Sequence, residues 1–314
     1  MKGEGDVVKR LGSFALVGGG GEPVDFVRLL ASHGVATLAP QRVDHDGLYV
    51  ETTLGLSGSR AVTIRAARAV DAAGTVTIDA LGARFRQGEA ASVLDQVRRM
   101  LNLDEDLSGF YRLAAADPSM SWATSGAGRM LRGPTVFEDV VKTVCTTNCA
   151  WSATQRMVNA LVDHLGDEAP GGRRSFPSPQ SMAAAGEDFY RDVARAGYRG
   201  RYLIGLATLV AEGAVDLEAL ADPRLSEDDV MKQLLALPGV GPYAAAHVML
   251  ISLGRSRRLI LDSWTRPTYA ELTGAPASDK EIAARFAGYG DWAGLAFWLF
   301  ITRTWVDEDG KVAY

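Results

Sequence analysis

The 314 residues predict an α+β fold: an antiparallel β-sheet domain with covering helices over residues 1–103, followed by an all-helical unit over 104–314. Three observations carry this. Apolar residues alternate with period two only in the first hundred residues, where Leu48, Val50, Thr52 and Leu54 share a face, as do Val62 with Ile64 and Val76 with Ile78. Ser57-Gly58-Ser59 and Ala73-Gly74 separate these runs, as in a meander. Beyond Asp104 strand signals nearly vanish and helical spacing takes over.

In chain order, Pro23–Ala31 predicts a short amphipathic helix, and the strands occupy the next fifty residues. Glu89–Leu101 places Val93, Leu94, Val97, Met100 and Leu101 on one stripe that can cover the sheet. Helices are then expected over Leu107–Ala116, Thr135–Val144, a following helix carrying Cys145 to Leu165, Met182–Ala194 and Leu203–Glu212, with Gly197–Tyr202 interrupting between the last two. Ser226 and Asp229 are spaced as an N-cap box for a helix reaching Leu237. Pro242–Leu253, Ser263–Leu272, Lys280–Phe286 and Trp292–Trp305 complete the series.

Composition is that of a globular chain, 47% hydrophobic and 23% charged, which excludes disordered and collagen-like classes. No run of 18 apolar residues occurs, so no membrane span is expected. The first residues lack the apolar stretch of a secretory signal. Two cysteines, Cys145 and Cys149, exclude a disulfide framework and point to a reducing, cytoplasmic setting. Standing four apart on a predicted helix they share a face, as buried inert thiols rather than a redox or metal pair. Two cysteines cannot hold a four-cysteine iron–sulfur cluster, and His33, His45, His164 and His247 show no metal spacing. No cofactor or metal is expected. The net charge of −5 argues against nucleic-acid binding as a whole, but placement outweighs the sum. Arg255, Arg257, Arg258 and Arg266 form one basic group and Arg195, Arg199 and Arg201 another, each by itself most simply a solvated surface.

The most informative stretch is Leu237–Asp262. Leu237-Pro238-Gly239-Val240-Gly241 lies between two apolar helix patterns, and glycine permits the positive φ and close backbone approach of a tight turn. Such a turn entering a helix exposes N–H groups of Gly239, Gly241 and Tyr243 to an anionic phosphate, with a monovalent cation as a candidate intermediary at 237–241. An ordinary helix–turn–helix connection is the plain alternative. Asp262 follows the apolar run Leu259-Ile260-Leu261, where a carboxylate has no structural need beyond capping the next helix.

LPGVG with Asp262 resembles the helix-hairpin-helix plus Gly/Pro…Asp superfamily of DNA glycosylases, and the similarity extends from about residue 22 to 306. The resemblance implies a helical core of two lobes, a pocket between them, and a monomer that flips a damaged base out of double-stranded DNA. Asp262 matches the catalytic aspartate: it would stabilise the oxocarbenium-like sugar and orient the attacking water. Gly239, Val240 and Gly241 match the DNA-gripping hairpin. Where bifunctional members carry a Schiff-base lysine this chain has Tyr243, and a phenol cannot form an imine, which implies a monofunctional enzyme.

Other segments resemble the 8-oxoguanine branch. In Thr143-Val144-Cys145-Thr146-Thr147-Asn148, Asn148 falls where an asparagine fills the gap left by the flipped nucleotide, while Ala153 replaces an arginine that reads the opposite cytosine. In Gly197-Tyr198-Arg199-Gly200-Arg201-Tyr202, Tyr198 matches the wedge and Arg199 its phosphate or base partner, with Arg201 a further DNA contact; a half-buried loop aromatic is the alternative for Tyr198. Trp298 matches the aromatic stacked on the base, and Gly294 replaces a glutamine that reads its polar edge. HGVATLAPQRVDHDGLYV resembles the N-terminal sheet domain, where the segment after the proline approaches the pocket; Gln41 stands there in place of an aromatic. A pocket of Tyr243 and Trp298 without the amide suits a cationic, alkylated purine. An 8-oxoguanine or uracil/thymine-mismatch substrate on the same fold, or a DNA-damage binder without catalysis, are the alternatives. Trp292 is expected in the core.

Overall fold

The computed structural model describes residues 8–46, 48–70, 74–82, 84–307 and 309–313. Five strands, β1 (Val8–Ala15), β2 (Arg42–Asp44), β3 (Tyr49–Leu56), β4 (Arg60–Arg68) and β5 (Thr75–Leu81), form one antiparallel sheet in the order β1-β5-β4-β3-β2. The expected meander is β3-β4-β5, with Leu54 opposite Val62 and Ala66 opposite Ile78. Val50, Leu54, Val62, Ile64, Val76 and Ile78 are all buried, as period two requires. Part of the Ala73-Gly74 turn lies outside the described residues.

β1 and β2 add edges that the alternation did not announce. β1 is largely exposed and its register shifts between Arg10 and Gly12, so its sequence shows no clean period. Helices α1 (Phe26–Leu30), capped by the Asp25 carboxylate, and α2 (Glu89–Met100) cover the apolar face. Val93, Val97 and Met100 of α2 are fully buried there. The opposite face is not simply solvated: Glu51 is buried and ion-paired with Arg65 on β4 and with Arg173 from the helical unit.

The helical unit holds α3 (Ser108–Ala115), α4 (Val136–Thr146), α5 (Trp151–Leu165), α6 (Pro179–Ala184), α7 (Gly186–Asp188) and α8 (Arg199–Ala211), followed by α9 (Glu227–Leu235), α10 (Pro242–Ile251), α11 (Thr265–Thr273), α12 (Asp279–Phe286) and α13 (Ala293–Thr302). Hydroxyls cap where the sequence offers them: Thr135, Ser178, Ser226 and Ser278 each accept from the N–H three residues on, and Ser278 with Glu281 forms a full capping box. Trp292 packs on Gly109, at the edge of the core. Among the described residues no helix is long and apolar enough to cross a membrane.

Four expectations change. The helix expected to carry Cys145 to Leu165 is two helices, because Asn148 adopts φ 47° and breaks the chain between α4 and α5. Cys145 and Cys149 therefore do not share a helix face; Cys145 is buried on α4, Cys149 sits in the loop, and burial pushes the Cys145 thiol up to about 12. The interruption expected over Gly197–Tyr202 is shorter and earlier: Arg195 and Gly197 turn the chain through positive φ, and α8 already begins at Arg199. Gln41 does not approach the cleft described below. It is buried, donating to the Arg132 carbonyl and accepting from the Lys142 ammonium.

That last contact joins the two units. Lys142, wholly buried on α4, donates to the Leu38 carbonyl and to Gln41 Oε1, both at 3.1 Å, and is ion-paired with Glu138 at 2.6 Å. Nearby, Trp298 Nε1 donates to the Ser32 carbonyl at 2.8 Å, and His33 Nε2 bonds the Leu131 carbonyl at 2.8 Å. A buried charge is tolerable only with such partners.

Candidate active site

The turn between α9 and α10 is built by its glycines. Gly239 has φ 78°, and a Cβ there would meet Tyr202 Cβ at 2.8 Å, so both conformation and space demand glycine. Gly241 is exposed with open space beside it and caps α10, and Pro242 occupies the first turn, where its missing N–H costs nothing. Val240 turns inward: its side chain is buried and its N–H is bonded to Leu237 O at 3.2 Å, so it offers no backbone donor outward. Among the described residues no group of His, Cys, Asp and Glu could hold a metal ion.

From α10 the chain turns at Gly254 and runs extended to Asp262. This run is pinned by α13, whose first N–H groups, on Gly294 and Leu295, donate to Ser256 O at 2.7 and 3.1 Å. A Cβ at Gly294 would lie 2.1 Å from Arg258 O. Gly294 is therefore a close-packing glycine against the backbone that delivers Asp262, and it does not line the cleft as the resemblance implied.

Asp262 heads α11. Its Oδ1 accepts from Trp264 N at 2.8 Å and Thr265 N at 2.7 Å, and its own N–H donates to Thr265 Oγ1 at 2.8 Å. Backbone N–H groups at the head of the helix thus fix one carboxylate oxygen. One side chain both caps the helix and lines the cleft.

Asp262 opens on a cleft of about 1140 Å³ between the helices. Its floor is aromatic: Trp264, Trp298 and Trp305 pack with centroids 5.7–6.1 Å apart. Tyr243, more than a third exposed, stacks on His247 at 5.7 Å, and Trp298 meets the same imidazole edge-on at 6.0 Å. Burial raises the Tyr243 phenol, the Asp262 charge raises it further, and a hydrogen bond with Thr146 opposes both. Burial lowers His247 to about 3; His33 adds to the effect and Asp262 opposes it. His33, 6.4 Å away, is lowered by burial to about 4.

His247 and Trp264 were missed from sequence, although spacing held the signal. His247 stands one helical turn after Tyr243 on an otherwise apolar helix, and Trp264 two residues after Asp262. The wall also includes Gly34 and Val35, from the turn after α1.

At the mouth, Asn148 Nδ2 donates to Tyr198 Oη at 3.4 Å, so the two expected insertion residues are brought together. Tyr198 is half exposed. Arg199 departs from expectation. It is buried, donates to the Thr147 carbonyl and lies 4.6 Å over the Tyr198 ring, which makes it a brace for the lip and not an outward partner for phosphate or base. The cause is α8 starting at Arg199, which aims the side chain back at the loop after α4. Arg201 is exposed and lies over Tyr202. Three arginines of the other basic group are ion-paired, Arg257 and Arg258 with Glu227 and Asp228 and Arg266 with Asp279, while Arg255 donates to the Asp222 backbone carbonyl.

No family model matches the chain. It is similar to the putative DNA-3-methyladenine glycosylase YfjP of Bacillus subtilis, 27% identical over 158 residues, covering 48% of this chain and 53% of that one. It is 28% identical over 219 residues to the N-glycosylase/DNA lyase OGG1 of Arabidopsis thaliana, covering 65% of this chain and 59% of the other. The chain thus spans little more than half the length of these curated relatives. Among solved structures, the 3-methyladenine DNA-glycosylase from Archaeoglobus fulgidus superposes with a TM-score of 0.69 at 21% identity, covering 92% of this chain and 97% of that one.

Proposed function

We propose that this chain, whose homologues are DNA-3-methyladenine glycosylases and OGG1-like N-glycosylases and whose fold is theirs, is a monofunctional DNA glycosylase of base-excision repair. Its substrate class is a damaged, alkylated purine in duplex DNA, and its product an abasic site. The observation that carries the reading is Asp262, fixed through one carboxylate oxygen at the wall of an aromatic cleft whose rim holds the glycine hairpin.

The chemistry follows from that placement. Gly239 and Gly241 let the hairpin backbone approach a phosphate, which positions the duplex without reading sequence. Asn148 and Tyr198 occupy the space of the extruded nucleotide, offsetting part of the unstacking cost. As the N-glycosidic bond breaks, its electron pair goes to the base and positive charge grows on the sugar. The Asp262 carboxylate stabilises that charge and orients the water that adds to C1′, which loses its proton as the sugar hydroxyl forms. An alkylated base leaves neutral, so it needs no acid. Among the described residues lining the cleft none is a lysine, which supports hydrolysis over imine formation.

Conversion of Asp262 to Asn tests the reading. Base release from alkylated duplex should fall at least a hundredfold with duplex binding retained; equal rates in both proteins would leave a damage binder without catalysis. Borohydride should trap no covalent adduct, and an adduct would overturn the monofunctional assignment. The Asn148–Tyr198 pair favours a second reading, an 8-oxoguanine-type substrate. A panel of duplexes scored for base release before and after alkali separates the two.

A further inference from the structure

We infer that His247 is a specificity-determining residue of the cleft, its imidazole lone pair accepting a hydrogen bond from an N–H on the edge of the extruded base. The inference rests on the glycosylase reading above and adds to it a named polar reader in a pocket otherwise walled by rings.

The first support is a polar side chain with nothing to bond. His247 lines the cleft and is only 6% exposed, yet neither Nδ1 nor Nε2 has a hydrogen-bond partner in the protein. Buried polar nitrogens are ordinarily satisfied; these two are unpartnered and closed to solvent on a residue of the cleft wall, and a half-turn of the ring in its own plane exchanges them with the ring carbons. Packing gives no reason for an imidazole here: Ala244, Ala245, Val248 and Ile251 around it on α10 are apolar and buried. A leucine or phenylalanine would fill the space without two stranded nitrogens.

The second support is fixation. Tyr243 stacks on the ring with an interplanar angle of 29°, while Trp298 and His33 meet it edge-on at 82° and 87°. Three rings hold the imidazole in one plane, as a reader must be held. Trp298 is itself locked by its bond to Ser32 O.

The third is charge. The group facing His247 from α10 is Tyr243, that from the turn after α1 is His33, and that from the head of α11 is Asp262. Burial keeps the imidazole neutral down to about pH 3, so it presents one N–H and one lone pair. A neutral ring does not repel a cationic base, and the positive charge of an alkylated purine makes its N–H groups stronger donors. The chemical class is therefore a purine retaining an N–H on the edge that enters the cleft. This supplies a directional contact in a pocket that lacks the glutamine amide which Gly294 replaces.

The test compares duplexes carrying 3-methyladenine with duplexes carrying 1,N6-ethenoadenine, whose exocyclic amine hydrogens are replaced by the etheno bridge. The readout is the ratio of kcat/KM for the two. In His247→Leu that ratio should drop at least tenfold, and His247→Gln, which keeps an acceptor, should recover most of it. Equal loss on both substrates, or no loss on either, would overturn the inference, and His247→Gln carries the test if the leucine variant does not fold. Free 3-methyladenine, titrated against the fluorescence of the tryptophan floor, gives a second readout. If the wild-type protein releases neither base but His247→Gln and wild type bind the free base at least tenfold more tightly than His247→Leu, the glycosylase reading fails and His247 as reader stands. If base is released and neither the ratio nor free-base affinity changes, His247 fails and the glycosylase reading stands.

Discussion

The Asn148 amide and the Tyr198 hydroxyl meet at 3.4 Å across the mouth of the cleft, joining the loop between α4 and α5 to the head of α8. Asn148 adopts φ 47°, a conformation asparagine tolerates better than most residues. Arg199 supports the pair from below, with its guanidinium on the Thr147 carbonyl and over the Tyr198 ring.

Arg199→Met should therefore slow base release about tenfold by loosening the lip. The slope of log K against log salt for duplex binding should stay the same, whereas a lost phosphate contact would make it shallower by about 1. Single-turnover rates and binding at several salt concentrations check this. A shallower slope would return Arg199 to the phosphate backbone.

Gly239→Ala meets two obstacles, a positive φ and the Tyr202 side chain. The expected loss is about 1–3 kcal/mol of stability from strain at this turn, together with severalfold weaker duplex binding. Urea denaturation and a binding titration report the two effects. Unchanged affinity would remove the hairpin from the DNA contact.

Gly294→Ala should destabilise the protein by about 3 kcal/mol, because the added methyl overlaps the Arg258 carbonyl and an overpacked backbone contact cannot relax cheaply. Calorimetry should show a lower Tm for Gly294→Ala and Gly294→Gln alike. A Gly294→Gln protein of normal Tm and altered lesion preference would place residue 294 in the pocket after all.

The paired imidazoles make a pH prediction. His33 and His247 are lowered by burial from 6.5 to about 4 and about 3, so the unfolded chain binds protons that the fold refuses. Their contribution to stability is full above about pH 6.5 and is lost as pH falls toward 4 and 3; at pH 5 the loss is about 2 kcal/mol per imidazole. His247→Gln should remove one of the two losses and flatten the profile. Urea midpoints from pH 7.5 to 4.5 measure it, and parallel profiles for the two proteins would refute it.

Legibility in the sequence followed the strength of local constraint. The α+β order, the three central strands and the capped helices were readable because period two, helical stripes and Ser/Thr caps are local signals. The hairpin was readable because backbone conformation and Tyr202 both require glycine at 239. β1 was not, since an exposed, bulged edge strand has no apolar alternation. Gly294 misled because sequence cannot distinguish a glycine that makes room for a ligand from one that makes room for backbone. Arg199 misled because its direction depends on where α8 begins. His247 stayed hidden because a histidine in an apolar helix looks like core until its unpartnered nitrogens and its place on the cleft wall are seen together.

The bond from Trp298 Nε1 to Ser32 O, with the Lys142 ammonium held by Leu38 O and Gln41, has a consequence for chimeras. The sheet-bearing half is a co-author of the cavity, supplying Gly34 and Val35 to its wall and an anchor for one of its tryptophans, Trp298. Transplanting the helical half onto a foreign sheet would leave the buried ammonium with Glu138 alone, without its two partners from the sheet-bearing half, and release a tryptophan from its tether. Swaps between related chains should therefore exchange the Ser32–Gln41 segment together with α4 and α13, or alter lesion preference without touching any residue near Asp262.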